Sequence, residues 1–182
     1  YDPELLENGD RRNVLDHYRY WKVSAIVEDL NTKRHGLQIA IENWQHDLNI
    51  GSIVRTANAF NVSAVHIVGK RDWNRRGAMV TDRYLTVLHH PTVTDFAKWC
   101  AENALPIIGI DNVDGSKRLE SSQLPEKCVL LFGQEGAGMS DEGIAACEVL
   151  YAIEQYGSTR SMNASAAGAI AMYHWALQHL PR

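Results

Sequence analysis

Three short stretches of this sequence combine residue types that can hold a ligand's polar groups. The first is NIGSIVRTANAF at residues 49–60, with Asn49, Gly51 and Arg55 in one helical span. On a helix, Ile50, Val54 and Ala57 share a face that packs inward. Arg55 lies about 100° round from Val54, clear of that stripe and near Gly51 and Asn58. A glycine in a first turn weakens the helix but lets another backbone come close. The plain alternative is an N-cap Asn49 with a solvated Arg55.

The second stretch is CVLLFGQEGAGMSDE at residues 128–142, an apolar strand running into a glycine turn and a helix capped by Ser140. Gly133, Gly136 and Gly138 free the backbone there, and unpaired amides in such a turn bind polar groups. The spacing is GxxGxG on a late strand, not the GxGxxG of a first dinucleotide-binding strand, and no GK[ST] of a phosphate loop follows. Glu135 inside the turn would repel a pyrophosphate. The third stretch, residues 153–179, leads from a strand end at Ile153 through a polar turn into a helix rich in small residues. Met162, Ala166, Ala169, Tyr173, Ala176 and Leu180 follow a 4-3-4-3-4 spacing that reads as core or as a helix–helix seam. Ser158, Thr159 and Ser161 are candidate caps, and Asn163 is an unfavourable residue just inside a first turn.

The elements that must position these stretches are legible as a rhythm. After a helical pattern over residues 11–30 and the polar break NTKRHG, strand-like runs at 37–42, 64–69, 86–90, 105–110, 128–133 and 149–154 alternate with helical patterns. The helical patterns fall near 50–60, 93–103, 140–147 and 161–178. That alternation predicts an α/β fold, a parallel sheet with helices on both faces, behind an N-terminal helical extension. The boundaries expected are 1–36 for the extension and 37–182 for the main domain.

Composition narrows the function classes. The chain has 182 residues, 45% hydrophobic and 22% charged, with a formal net charge of −4. No apolar run reaches the length of a membrane span. An acidic balance means that any nucleic-acid surface must be local, and residues 70–83, KRDWNRRGAMVTDR, are the candidate, with Lys70, Arg71, Arg75 and Arg76 around Trp73. Cys100, Cys128 and Cys147 lack CxxC spacing, which argues against a disulfide framework or cysteine-rich zinc site and for a cytoplasmic setting. His89 and His90 lack a second ligand pair, so no metal is expected. No secretory or transit segment is recognised at the start of the chain.

In order, and each at a strand-to-helix junction, the three stretches resemble the motifs of the SpoU/TrmH branch of the SPOUT RNA methyltransferases. The matching positions are Asn49-Gly51-Arg55, then Gly133-Glu135-Gly138, then Ile153-Gly157-Ser161-Met162-Asn163. The chain departs from the pattern at Glu154, where the family has Pro, and at Met162, where it has Leu. The resemblance implies a C-terminal trefoil knot that binds S-adenosylmethionine, with Gly133, Gly138, Ile153, Met162 and Ile110 around the cofactor. It also implies methyl transfer to a ribose 2′-hydroxyl of transfer or ribosomal RNA. Arg55 stands at the catalytic position, with Asn49, Glu135, Ser161 and Asn163 orienting it and the ribose. Arg160 joins Lys70, Arg71, Arg75 and Arg76 as an expected RNA contact, and a homodimer through the knot and C-terminal helix is implied. Two alternatives stay open: an RNA-binding module of the same fold that has lost catalysis, for which Glu154 is the motive, and a nucleotide-dependent oxidoreductase.

Overall fold

A computed structural model describes residues 1–45 and 48–181. The six apolar runs become strands because Ile, Val and Leu suit a pleated surface, buried on both faces in the four central strands and half-buried in those at 87–90 and 149–152. They are β1 (Leu37–Asn43), β2 (Val65–Gly69), β3 (Val87–His90), β4 (Ile107–Ile110), β6 (Cys128–Phe132) and β7 (Val149–Ala152). A two-residue edge strand, β5 (Lys117–Arg118), has no apolar signature and was not expected. All pairings are parallel, in the order β3-β2-β1-β6-β4-β7-β5.

The helices are α1 (Pro3–Asn8), α2 (Val23–Asn31), α3 (Asn49–Ala59), α4 (Val93–Glu102), α5 (Asp141–Ala146) and α6 (Ala164–His179). One sheet face packs against Ile50, Ile53 and Val54 of α3 and Met172 and Trp175 of α6. The other packs against Phe96 and Cys100 of α4. Helices on both faces are therefore as expected. Each such fully buried side chain contributes about 1.5–3 kcal/mol against exposure.

On the second face two imidazoles are buried together. With Gln38 Oε1 accepting at 2.7 Å, His66 carries its proton on Nε2, and its Nδ1 accepts from Nε2–H of His90 at 2.9 Å. Burial, and then the neighbouring His90, hold His66 down at about 3, so it stays neutral.

Two expectations need correction. Residues 11–30 do not form one helix; only Val23–Asn31 does. The Asp10 carboxylate accepts from the main-chain N–H groups of Arg12 and Tyr20 at 2.9 Å each and from the Arg12 guanidinium at 2.6 Å. That knot of bonds turns the chain, and Tyr20 sits at φ 64 where a helix cannot pass. The α6 seam is also rotated. Its buried face is Gly168, Ala171, Met172, Trp175 and Ala176, while Ala166, Ile170, Tyr173 and Leu177 are exposed. The 4-3-4 pattern of small and large residues fits both faces, and Trp175 decides which one turns inward.

Candidate functional site

The C-terminal ends of β4, β6 and β7 open side by side, where open parallel sheets bind ligands. The turn leaving β6 is the first wall. Gly133 must be glycine, since a Cβ there would overlap the main chain of Gly138 and Met139. Gly136 and Gly138 sit at φ 81 and 71, and Gln134 and Gly138 exchange main-chain hydrogen bonds of 3.0 and 2.9 Å. Three side chains pin this turn to neighbouring strands, two reaching in and one reaching out. Asp111, just beyond β4, accepts from Met139 N–H at 2.8 Å. Glu42, fully buried in β1, accepts from Ser140 N–H at 2.7 Å and from the Ser140 hydroxyl. Gln134 Oε1 accepts from the N–H groups of Trp44 and Gln45 at 2.7 Å each. Ser140 caps α5 as expected, accepting from Gly143 N–H at 3.0 Å.

Against this turn lie the starts of α3 and α6. Asn49 is the first residue of α3, with Leu48 at the N-cap position. Its side chain therefore does not cap the helix; it donates to Glu135 Oε2 at 2.5 Å. Asn163 is the N-cap of α6, which explains an asparagine that looked misplaced inside a helix. Its Oδ1 accepts from Ser165 and Ala166 N–H at 3.0 and 3.2 Å, so none of Ser158, Thr159 or Ser161 is needed as the cap. Its amide donates to Asn49 Oδ1 at 2.9 Å and to Glu135 Oε1 at 3.4 Å. Asn49, Glu135 and Asn163, one from each stretch, thus meet.

They meet at the edge of a cavity of about 570 Å³, within the size range of small-ligand sites. Ile110, Gly133, Gly138, Ile153 and Met162 all line it, as do Glu135, Ser161, Asn163 and Arg160. Asn112 and Gln155 donate to the Arg160 carbonyl at 3.1 and 3.4 Å, shaping the loop before α6. Glu154 is not in the lining. Its carboxylate pairs with Arg118 Nε of β5 at 3.1 Å, so the acid that replaces proline is directed at the sheet edge.

Arg55 does not join this group. It is exposed on α3, outside the cavity lining, without an ion pair or side-chain hydrogen bond among the described residues. Lys70, Arg71, Arg75 and Arg76 also lie off the cavity, on the segment between β2 and β3. Arg75 pairs with Asp82 at 3.1 Å and lies 5.2 Å over the Trp73 ring. Trp73 is only 8% exposed and belongs to the core, so it is not a platform for a base. Gly51 admits this segment: a Cβ would lie 2.7–2.9 Å from the main chain of Gly77 and Ala78.

Sequence reasoning missed Glu42, Asp111 and Gln134. The one signal available was an acid closing an apolar strand, at Glu42, where a solvated residue would ordinarily stand. Among the described residues no cluster of His, Cys, Asp and Glu could hold a metal ion, and no helix is long and apolar enough to cross a membrane.

The chain is similar to the tRNA (guanosine(18)-2′-O)-methyltransferase of Borreliella burgdorferi, 25% identical over 155 residues, 84% of this chain and 71% of that protein. Among solved structures, the TrmH/SpoU tRNA modifying enzyme of A. aeolicus superposes with a TM-score of 0.74 at 21% identity, covering 86% of this chain and 83% of that one. The SpoU methyltransferase AviRb of Streptomyces viridochromogenes, in complex with AdoMet, gives 0.71 at 23%, covering 80% and 58%. At those identities the two structures speak for the fold. The family model described as SpoU rRNA Methylase matches residues 36–173, a span that holds Asn49, Glu135 and Asn163, which meet at the cavity edge, and the chain belongs to that family.

Proposed function

We propose that this protein transfers a methyl group from S-adenosylmethionine to a ribose 2′-hydroxyl of transfer or ribosomal RNA. The observation that carries the reading is the junction of Asn49, Glu135 and Asn163 at the rim of the 570 Å³ cavity. The cavity fits the cofactor on its own terms. Its walls are the apolar side chains of Ile110, Ile153 and Met162 and the main chain around Gly133 and Gly138, which suit an adenine satisfied by backbone groups. When bound, S-adenosylmethionine supplies an electrophilic methyl group.

The chain's own residues do the rest. Glu135 and Asn163 fix the Asn49 amide, and with Ser161 they orient the ribose so that its hydroxyl approaches in line. Arg55 binds the phosphate beside the reacting ribose and hydrogen-bonds the hydroxyl. A guanidinium donates and does not accept, so Arg55 orients and stabilises; it is not the base, and the proton leaves late, shared with that phosphate. Arg160 at the cavity and Lys70, Arg71, Arg75 and Arg76 on the β2–β3 segment grip the RNA. Residues 1–36 form an extension to a methyltransferase domain of residues 37–182 whose last segment threads a trefoil knot.

Two copies pair through the knot and α6. The exposed stripe Ala166, Ile170, Tyr173 and Leu177 supports this, being an apolar seam on the helix that frames the site. Pairing brings motifs of both subunits to one RNA, which answers the outward position of Arg55. A cytoplasmic setting suits three unpaired thiols, and neither a metal nor a membrane enters the reaction.

The test is incubation with methyl-labelled S-adenosylmethionine and total RNA, followed by nucleoside mass spectrometry. Label appears as 2′-O-methylribose with the parent chain. Arg55→Ala abolishes it while calorimetry still shows cofactor binding. A parent chain that binds no S-adenosylmethionine would overturn the reading.

A further inference from the structure

Charge is unevenly spread along this chain. Residues 11–22 and 70–83 together hold nine of the 18 Lys and Arg residues but only three of the 22 acids. Everything else therefore carries nine cations against nineteen acids. The two stretches are distant in sequence, and the fold packs the first against Tyr84, the residue that follows the second. Tyr18 and Ile26 pack with Tyr84 in one buried cluster, with Val14, Trp21 and Val27 against it. Arg34, beyond the end of α2, donates to the Tyr84 carbonyl at 2.6 Å and to Asn61 Oδ1 at 2.7 Å.

The cations divide by role. Arg12 is bound to the Asp10 carboxylate and Arg19 Nη1 donates to the Asp10 carbonyl at 2.7 Å, so both build the turn. Arg11 and Lys22 are exposed, without an ion pair among the described residues. The same holds for Lys70, Arg71, Arg76 and Arg83 across the Tyr84 contact. Between Arg76 and Arg83 the tip exposes Met79 and Val80, 63% and 53%, at φ 48 and 66. Left-handed backbone at a β-branched residue is strained and persists only where the surroundings impose it. Because Gly77 seats this segment on Gly51, one helical turn before Arg55, the cations lead to the proposed catalytic guanidinium.

We infer that residues 11–22 and 70–83 form one continuous cationic strip that holds the phosphate backbone of the RNA substrate while its target ribose reaches Arg55. This rests on the methyltransferase reading above and adds the N-terminal segment to the substrate grip. The cations stand on turns and short loops with small apolar tips. They do not line one face of an amphipathic helix, which a lipid surface would favour. Phosphate neutralisation needs no more than such a spaced array.

The experiment is fluorescence anisotropy of labelled, unfractionated transfer RNA with the full chain between 50 and 300 mM KCl. The variants are R11Q/K22Q, R76Q/R83Q and, as a charge-matched control away from the strip, K98Q/K127Q. Losing two phosphate contacts flattens the log–log salt dependence by roughly 1–2. R11Q/K22Q and R76Q/R83Q are each expected to bind at least about fivefold more weakly near 0.1 M KCl with that flattening. The control keeps the parent curve, and Arg11→Lys, which preserves the charge, keeps the parent affinity. R11Q/K22Q that binds RNA as the parent does, while R76Q/R83Q weakens, overturns the strip and leaves methyl transfer standing. A parent that neither binds RNA nor methylates it overturns both. Phosphatidylglycerol vesicles that bind the parent as tightly as RNA at matched phosphate would assign the strip to a lipid surface instead.

Discussion

Asn163 and Asn49 are 114 residues apart in sequence, yet their side chains share a 2.9 Å hydrogen bond, and both reach Glu135. One asparagine caps α6, the other opens α3, and the carboxylate stands on the glycine turn between them. The cap bonds fix the Asn163 rotamer, so the orientation of α6 is transmitted directly to the site.

Glu135→Ala removes the acceptor of both amides. We expect kcat for methyl transfer to fall about 100-fold, a loss of about 2.7 kcal/mol of transition-state stabilisation. Cofactor affinity should stay within a few-fold of the parent. Single-turnover kinetics beside calorimetry separates the two quantities. An unchanged single-turnover rate would remove Glu135 from the orienting set.

Glu42→Ala strikes the same turn from behind. It leaves the Ser140 N–H and hydroxyl without their buried acceptor, and an unsatisfied buried group costs about 1–3 kcal/mol. A fall in urea-unfolding free energy of that size is expected, with S-adenosylmethionine binding weakened at least about tenfold. Full cofactor affinity in the variant would show that the glycine turn holds its shape without this carboxylate.

Gly51→Ala tests the seat of the β2–β3 segment. A methyl group at that point overlaps the main chain of Gly77 and Ala78, and overpacking of this kind costs about 1–3 kcal/mol. The expected kinetic signature is a raised KM for RNA with cofactor binding retained, because the displaced segment bears cations and does not line the cavity.

The buried imidazole pair makes a pH prediction. His66 is held at about 3 in the folded chain, against about 6.5 when unfolded. As pH falls below 6.5 the unfolded chain takes up the proton first, so stability is lost progressively toward pH 3. Between pH 7 and 5 the His66 share of the loss should be about 2 kcal/mol, at 1.36 kcal/mol per pH unit below 6.5, and His90, also held low by burial, adds to it with the same sign. The lowered Asp10 carboxyl adds nothing in that window, since its contribution is lost only below its unfolded value near 3.8. Urea titrations at several pH values check this, and a His66→Leu chain should give a flatter profile.

Tyr173→Glu places a charge in the exposed stripe of α6. Sedimentation should show a dimer for the parent and a monomer for the variant. A parent that sediments as a monomer at micromolar concentration would refute pairing through this helix.

The sheet was legible because its strands are short apolar runs punctuated by polar turns, and buried parallel strands need nothing else. β5 was not, since Lys117 and Arg118 pair by position at an edge and bury no side chain. The three chemical stretches were legible as motifs, but not the residues that pin them. Asp111 and Glu42 act on main-chain N–H groups 28 and 98 residues away, and a main-chain partner leaves no trace in residue type. The stretch at 11–30 carried a convincing helical period that a buried carboxylate at Asp10 overrode. Trp73 sat among cations in the sequence and among core side chains in the fold, because the 70–83 segment folds back onto α3.

The cap at Asn163 has a consequence for how the protein comes into being. As the chain is made, the residues of the sheet, the glycine turn and α3 are all synthesised before those of α6, and until α6 follows the cavity lacks a wall. Contacts between such distant positions are slow to form, so cofactor binding should begin only once α6 has docked and the Asn163–Asn49 bond has closed.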